Sequence, residues 1–251
     1  MSEKAKPVRT AAVMLGSLPS DHRSGRRVGR PKGQSADETR ERILNAAEEL
    51  FAANGFDGTS IRDVARLADL QLAAIGYHFG PKEELFDSVV RRRAEFMSTS
   101  RRNALAALNA EFKGKPVPLE HLIRAYVRPF IESASHGDRG WRNYAALMGR
   151  LANSALGTEV IARHYDTTAR AYLEAFRETL PHVDERKLID GFTYMVAAML
   201  ALCADTGRAE RLSKDLDTTH SVSEALTPLV AFVAAGFRAL AEGDGPSGDS
   251  V

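Results

Sequence analysis

From Ser35 to Leu240 the chain spaces its apolar residues three and four apart, and nowhere does it set out the alternation of a strand. That period, about 3.6 residues, is the signature of amphipathic helices and predicts an all-α fold. Two stretches break the amphipathic rule. "IDGFTYMVAAMLALC" (189–203) and "ALTPLVAFVAAGFRAL" (225–240) are nearly apolar on every side, yet shorter than the roughly 18–20 residues that span a bilayer. A helix apolar all round must be buried all round, and small residues permit close packing. The surface expected to cover them is a second copy of the chain, through helices near 184–208 and 220–242. An ordinary monomer core is the alternative.

Charge is spread unevenly. Residues 1–36 carry a net +6, residues 37–95 a net −4 and the remainder −1. A positive tail on a nearly neutral chain is the asymmetry expected of an arm that touches a polyanion. Rich in Gly, Pro, Ser and Arg, residues 1–36 read as a flexible basic arm. Within it "RRVGRPKG" offers Arg26, Arg27, Arg30 and Lys32 around a Gly-Arg-Pro core that can lie in a narrow minor groove. A merely solvated tail is the competing reading. "AAVMLGSLP" is too short an apolar core for a signal peptide, and Cys203 is the only cysteine, so no intrachain disulfide or Cys-based zinc site is possible. A reducing, cytoplasmic setting without a membrane span is expected.

The first helix is expected within "SADETRERILNAAEELFAANG", capped by Ser35 or Asp37 and stopped by Gly55. Ile43, Leu44, Ala47, Leu50 and Phe51 form its buried stripe. A second helix follows Thr59 or Ser60, with Asp63 reaching back as a shortened capping box. Ile61, Val64, Ala65 and Ala68 face inward. The turn Asp69-Leu70-Gln71 then leads into "LAAIGYHF", a short helix neither strongly apolar nor charged. Two short helices on a tight turn make a helix-turn-helix unit, at about 60–79. Small side chains suit a helix that must enter a groove about 12 Å wide. Ala73, Ala74 and Gly76 permit close approach, Leu72 can meet a thymine methyl, and Gln71 can read an adenine edge. Tyr77, His78 and Lys82 can hold phosphates. Thr59, Ser60 and Arg62, opening the second helix, complete the expected DNA-facing set. Ile75 and Phe79 hold the third helix inward. An inert core helix is the alternative.

Residues 37–86 resemble the DNA-binding domain of the tetracycline-repressor family of bacterial regulators, through "R-x-x-I-L-x-A-A-x-x-L-F", "G-F-x-G-T-S-I-R-D-V-A" and "Y-H-F-x-x-K-E-E-L-F". The "L-A-A-I-x-Y-H-F-G" variant is similar to fatty-acid-responsive members. Asp69 stands where many members have Gly, and Gln71 stands where Ser, Asn or Asp usually caps, which weakens that cap by about 1 kcal/mol. The resemblance implies a DNA-binding domain at 37–81, a helical ligand-binding and dimerisation domain at 82–242 and a tail at 243–251. It implies a homodimer that binds double-stranded DNA at a palindromic operator, most often as a repressor. A small apolar or amphipathic ligand would release it. No cofactor or metal is expected.

Past the long helix at 82–111, with its Arg91-Arg92-Arg93 run, five more helices are expected near 119–136, 140–153, 157–180, 184–208 and 220–242, with a kink or break at Pro129. Tyr126, Phe130, Trp141, Tyr144, Met148, Tyr165, Phe176, Phe192, Met195 and Met199 are candidate pocket residues, because aromatic and Met side chains line apolar cavities. They fill solid cores equally well. Arg128, Arg142 and His164 are candidate anchors for a ligand's acidic group. No nucleophile elbow, phosphate loop, dinucleotide fingerprint or zinc-protease helix occurs, and the seven His residues are scattered. Nothing points to an enzyme. A small all-α enzyme and an architectural, sequence-indifferent DNA binder led by the arm are the alternatives to a regulator.

Overall fold

The computed structural model describes residues 32–152, 154–204, 211–212 and 224–242, with no strand among them. Helix α1 (Lys32–Asn54) starts inside the sequence-predicted arm, so Ser35 and Asp37 lie within the helix and do not cap it. Ser35 instead gives its carbonyl to the Thr39 hydroxyl. Gly55 ends α1 at φ 74°, the left-handed stop that glycine takes without a Cβ clash. Helices α2 (Ile61–Leu67) and α3 (Leu72–Phe79) pack across α1 and the start of α4 (Lys82–Phe112). A first core joins Ile43, Ala47, Phe51, Val64, Ile75, Phe79 and Phe86, all buried.

The second layer is built from α5 (Leu119–His136), α6 (Arg139–Leu151), α7 (Ala155–Thr179), α8 (Glu185–Cys203) and the last described helix, here α9 (Leu226–Glu242). Asp138, Ser154 and Asp184 cap α6, α7 and α8 through side-chain oxygens. Residues 205–208 and 220–223 of the two expected interface helices lie outside the described residues. α5 runs unbroken through Pro129. The proline costs α5 the bond to the Ala125 carbonyl, yet packing of Leu122, Ile123, Tyr126, Val127, Phe130 and Ile131 into the core holds the helix together. α4 belongs to both layers: it packs on α1 and α3 and also on α5 and α7. No described helix is long and apolar enough to cross a membrane.

Candidate nucleic-acid interface and ligand cleft

Ser60 caps α2 by accepting from the Asp63 N–H at 3.1 Å, and its hydroxyl donates to Asp63 Oδ2 at 2.5 Å. The reciprocal bond thus runs through the Ser60 hydroxyl and not only its backbone. That hydroxyl holds the Asp63 carboxyl below its ordinary pKa against the opposing effect of burial, with help from the Arg66 charge. Asp69 takes φ 51° in the turn, the left-handed conformation glycine would adopt without strain. Gln71 sits at the α3 N-cap with no side-chain cap bond.

Two arginines of α1 hold this motif; Arg40 opens the family-like pattern of the first helix, but nothing in the sequence says what either arginine bonds. Arg42 donates to the Ala68 carbonyl at 2.6 Å and to the Asp69 carbonyl at 2.9 Å, satisfying the end of α2. Arg40 lies over the Phe79 ring at 4.4 Å and reaches the His78 carbonyl.

With α3 held at Ile75 and Phe79, its other face is open. Gln71, Leu72, Ala73, Gly76 and Tyr77 are exposed, Tyr77 at 87%, while Ala74 and His78 are half-buried. Ser60 and Arg62 are exposed beside them. A Cβ at Gly76 would meet nothing within 4 Å, so the fold does not ask for glycine there. Two residues of the expected DNA-facing set are placed differently. Thr59 is 2% exposed, its hydroxyl donating to the Gly55 and Leu50 carbonyls at 2.8 and 3.1 Å, so its side chain closes the α1–α2 corner. Lys82 is half-buried with its ammonium 4.2 Å from the Phe56 ring centre. Arg26, Arg27 and Arg30 lie outside the described residues, as does the Lys32 side chain.

The Arg91-Arg92-Arg93 run joins this unit to the rest. Glu48 of α1 is 1% exposed. Its carboxylate accepts from Arg92 Nη2 at 2.8 Å and from Arg93 Nε and Nη2 at 3.0 Å each. Arg92 also reaches Glu41 and Asn45. Arg93 stacks 4.7 Å from the Trp141 ring and lies 3.5 Å from Asp138, both on the α6 side. Burial works against the Arg93 charge, but Glu48, Asp138 and Glu41 outweigh it and raise its pKa. A Cβ at Gly140 would fall 2.0 Å from Arg93 Nη2, so glycine there makes room for the guanidinium. Arg139–Glu49 and Arg150 on the Ala53 carbonyl add two further ties between α6 and α1.

A cleft of about 990 Å³ opens at this joint, lined by Ala52 of α1, Gly149 and Arg150 of α6, Ile161 of α7, and Val196 and Leu200 of α8 among others. Of the ten expected pocket residues, Phe192 alone lines it. Met195 lines a smaller groove of about 350 Å³ between α8 and α9. Trp141 is half-buried against Phe96, Tyr144 and Arg93. The other seven are buried core. The reason is volume: large side chains occupy the space they were expected to border, and Ala and Gly leave it empty. The expected acid anchors are committed elsewhere. Arg128 pairs with Glu132, Arg142 reaches the Gly137 carbonyl, and His164 sits 2.9 Å from Asp87.

Both layers match known sequences. Residues 43–89 match the family described as bacterial regulatory proteins, tetR family, and residues 124–236 match the tetracyclin repressor-like C-terminal domain. The chain belongs to the tetracycline-repressor family. This is a family of transcriptional regulators and not of enzymes. The chain is similar to the HTH-type transcriptional repressor NicS of Pseudomonas putida, 36% identical over 92 residues, which is 37% of this chain and 42% of that protein. It is also similar to the HTH-type transcriptional regulator AcrR of Shigella flexneri, 37% identical over 62 residues, which is 25% of this chain and 29% of AcrR. The chain thus matches less than half the length of either. Solved structures share the fold over most of their length. Salmonella enterica GusR superposes with TM-score 0.54 at 21% identity, over 80% of this chain and 96% of GusR. The fatty acid degradation regulator FadR of Bacillus halodurans does so with TM-score 0.53 at 15% identity, over 80% and 96%.

In tetracycline-repressor terms, sequence pattern finds the helix-turn-helix and misses what fastens it. The roles of Arg40, Arg42, Glu48 and Arg101 become visible only in space. Arg101 is 2% exposed, in the middle of the aromatic cluster of the C-terminal layer.

Proposed function

We propose that the chain is a homodimeric, sequence-specific DNA-binding regulator, a repressor on a palindromic operator that a small, mostly apolar ligand releases. One observation carries the DNA reading. α3 keeps a glycine in its interior, where glycine costs about 1 kcal/mol relative to alanine, at an exposed position where no neighbour excludes a Cβ. A fold gains nothing from that choice; a helix whose backbone must approach DNA closely does. Exposed Leu72, Ala73 and Tyr77 flank it on the same open face. Residues 37–81 then form the reader, and 26–32 an arm for the neighbouring minor groove.

The homodimer reading rests on α8 and α9. Tyr194 is 64% and Phe232 74% exposed, and Ala197, Ala201, Ala235, Gly236 and Ala239 lie open beside them. An exposed apolar face of that extent calls for a partner surface, and two linked readers are what a two-half-site operator requires. The ligand reading rests on the cleft. Its walls come from α1 and from α6, α7 and α8, so an occupant touches both layers and can favour one arrangement of α1 on α6 over another.

Selection of bound duplexes from a random library by the full-length protein, at physiological salt, tests the reading. A palindrome with fixed half-site spacing is the expected outcome. Recovery of A·T-rich sequence without symmetry would overturn it in favour of an arm-led architectural binder.

A further inference from the structure

Among the described residues two charged side chains are buried, and the fold treats them differently. Glu48 receives three N–H bonds from two arginines. Arg101 of α4, 2% exposed, has no carboxylate within salt-bridge distance among the described residues. Its Nε donates to the Tyr126 carbonyl at 2.9 Å, and Nη2 makes a long bond of 3.6 Å to the Met199 thioether, a weak acceptor. The guanidinium lies 3.8 Å from the Tyr126 ring centre and 5.8 Å from that of Tyr165. Among the described residues, Nη1 has no hydrogen-bond acceptor. Arg92 Nε is the only fully enclosed side-chain nitrogen or oxygen without a partner among the described residues, so Nη1 borders space that a water-sized group reaches. An arginine keeps its proton in any such setting. Ring faces offset only part of the loss of hydration. A buried cation without an anion is a state the fold alone gives no reason to keep.

We propose that Arg101 anchors the carboxylate of the regulator's ligand. This rests on the ligand-binding reading above and narrows it to amphipathic organic monocarboxylates. One guanidinium with no second cation beside it balances one negative charge, and a carboxylate matches its planar donor fork. The surroundings fix the rest of the ligand. Tyr126, Tyr165 and Phe192 present ring surface, with Tyr126 and Phe192 edge to face at 4.9 Å. Phe192 also lines the cleft, and Met199, which holds Nη2, adjoins Leu200 of the cleft wall on α8. The ring faces of Tyr126 and Tyr165 take the apolar body beside Arg101, and Phe192 joins that cluster to the cleft. Because α4 runs from the helix-turn-helix to Arg101, a carboxylate there bears on the same helix whose first turns hold α3.

The test is thermal melting of the full-length protein with straight-chain carboxylates of two to twelve carbons, each against the alcohol of the same length, in the natural chain and in Arg101→Met and Arg101→Lys. At least one carboxylate is expected to raise the melting temperature where its alcohol does not. Arg101→Met should abolish that rise, with apparent affinity at least about 30-fold weaker, and Arg101→Lys should retain part of it. The ligand-free Arg101→Met protein, its fold checked by circular dichroism, should melt no lower than the natural chain, because it loses an unpaired buried charge. Equal stabilisation by alcohols and carboxylates, kept in Arg101→Met, would overturn the anchor while leaving the ligand cleft intact. No stabilisation by either series would overturn the anchor together with the ligand reading. A much lower melting temperature in ligand-free Arg101→Met, with the carboxylate response unchanged, would make Arg101 a structural residue.

Discussion

Replacing Glu48 by Gln keeps the side chain's shape and removes its charge. The native carboxylate is 1% exposed, and the two arginines on it are 14% and 18% exposed. Oε2 accepts from both Arg92 Nη2 and Arg93 Nη2. An amide at that place points two hydrogens at two guanidinium groups, or turns over and breaks the Arg93 Nε bond instead. Deleting one partner of a buried ion pair costs about 3–5 kcal/mol. Arg92 retains Glu41 at 3.0 Å and Asn45 at 2.8 Å, which argues for the lower end, about 3 kcal/mol. For a chain of this size that lowers the melting temperature by about 6–12 °C. Urea unfolding followed by circular dichroism gives the free energy directly. Pairing Glu48→Gln with Arg93→Met should cost less than the two single changes summed, because the second removes a charge that the first left without its buried partner, with only exposed Asp138 nearby. A loss under about 1 kcal/mol, with additive singles, would mean that water screens the cluster as it screens a surface pair, and the clamp between α1, α4 and α6 would carry no weight.

Four further expectations follow from the same geometry. Gly76→Ala should stabilise the protein by about 0.5–1 kcal/mol while weakening binding to the selected operator in a gel-shift titration; unchanged operator affinity would remove the reason given for that glycine. Gly140→Ala should displace the Arg93 guanidinium, since the new methyl would overlap Nη2, and should lower the melting temperature by less than Glu48→Gln does, because a flexible side chain can move aside. Asp87 feels burial, which raises its pKa, but the hydrogen bonds and charges of His164 and Arg163 outweigh it and hold the carboxyl below its ordinary value. A depressed carboxyl stabilises the fold above its unfolded pKa and ceases to do so as pH falls through the folded one. The gap between Asp87→Asn and the natural chain should therefore be full at pH 7 and shrink below about pH 4; a constant gap would refute the assignment. If the proposed dimer forms through α9, Phe232→Asp should be monomeric by light scattering and bind the operator more weakly, and a dimer that persists would move the interface off α9.

The sequence by itself determined what depends on neighbours along the chain. Period placed the helices, Ser60 and Gly55 marked ends that stand where expected, and Ile75 and Phe79, four apart, set which side of α3 turns inward. That was enough to leave Gln71, Ala73, Gly76 and Tyr77 on the open face, because helix geometry fixes a face once two buried positions are known. Tertiary structure decided everything that rests on a partner far away in sequence. Thr59 has the chemistry of a cap and makes a buried corner bond instead. Arg91-Arg92-Arg93 has the look of a charged surface run, yet two of the three close on a single buried carboxylate more than forty residues earlier. The cleft lies away from most of the large apolar residues expected to line it, for a related reason. A pattern of such residues marks where volume is filled, and an opening is an absence of volume that exists only once Ala52, Gly149 and Leu200 have been brought together from three helices. Arg101 is the sharpest case: in sequence it is one half of an ordinary Arg-Arg pair, and only the packing of α5, α7 and α8 around it turns a common surface charge into a buried one with no carboxylate beside it among the described residues.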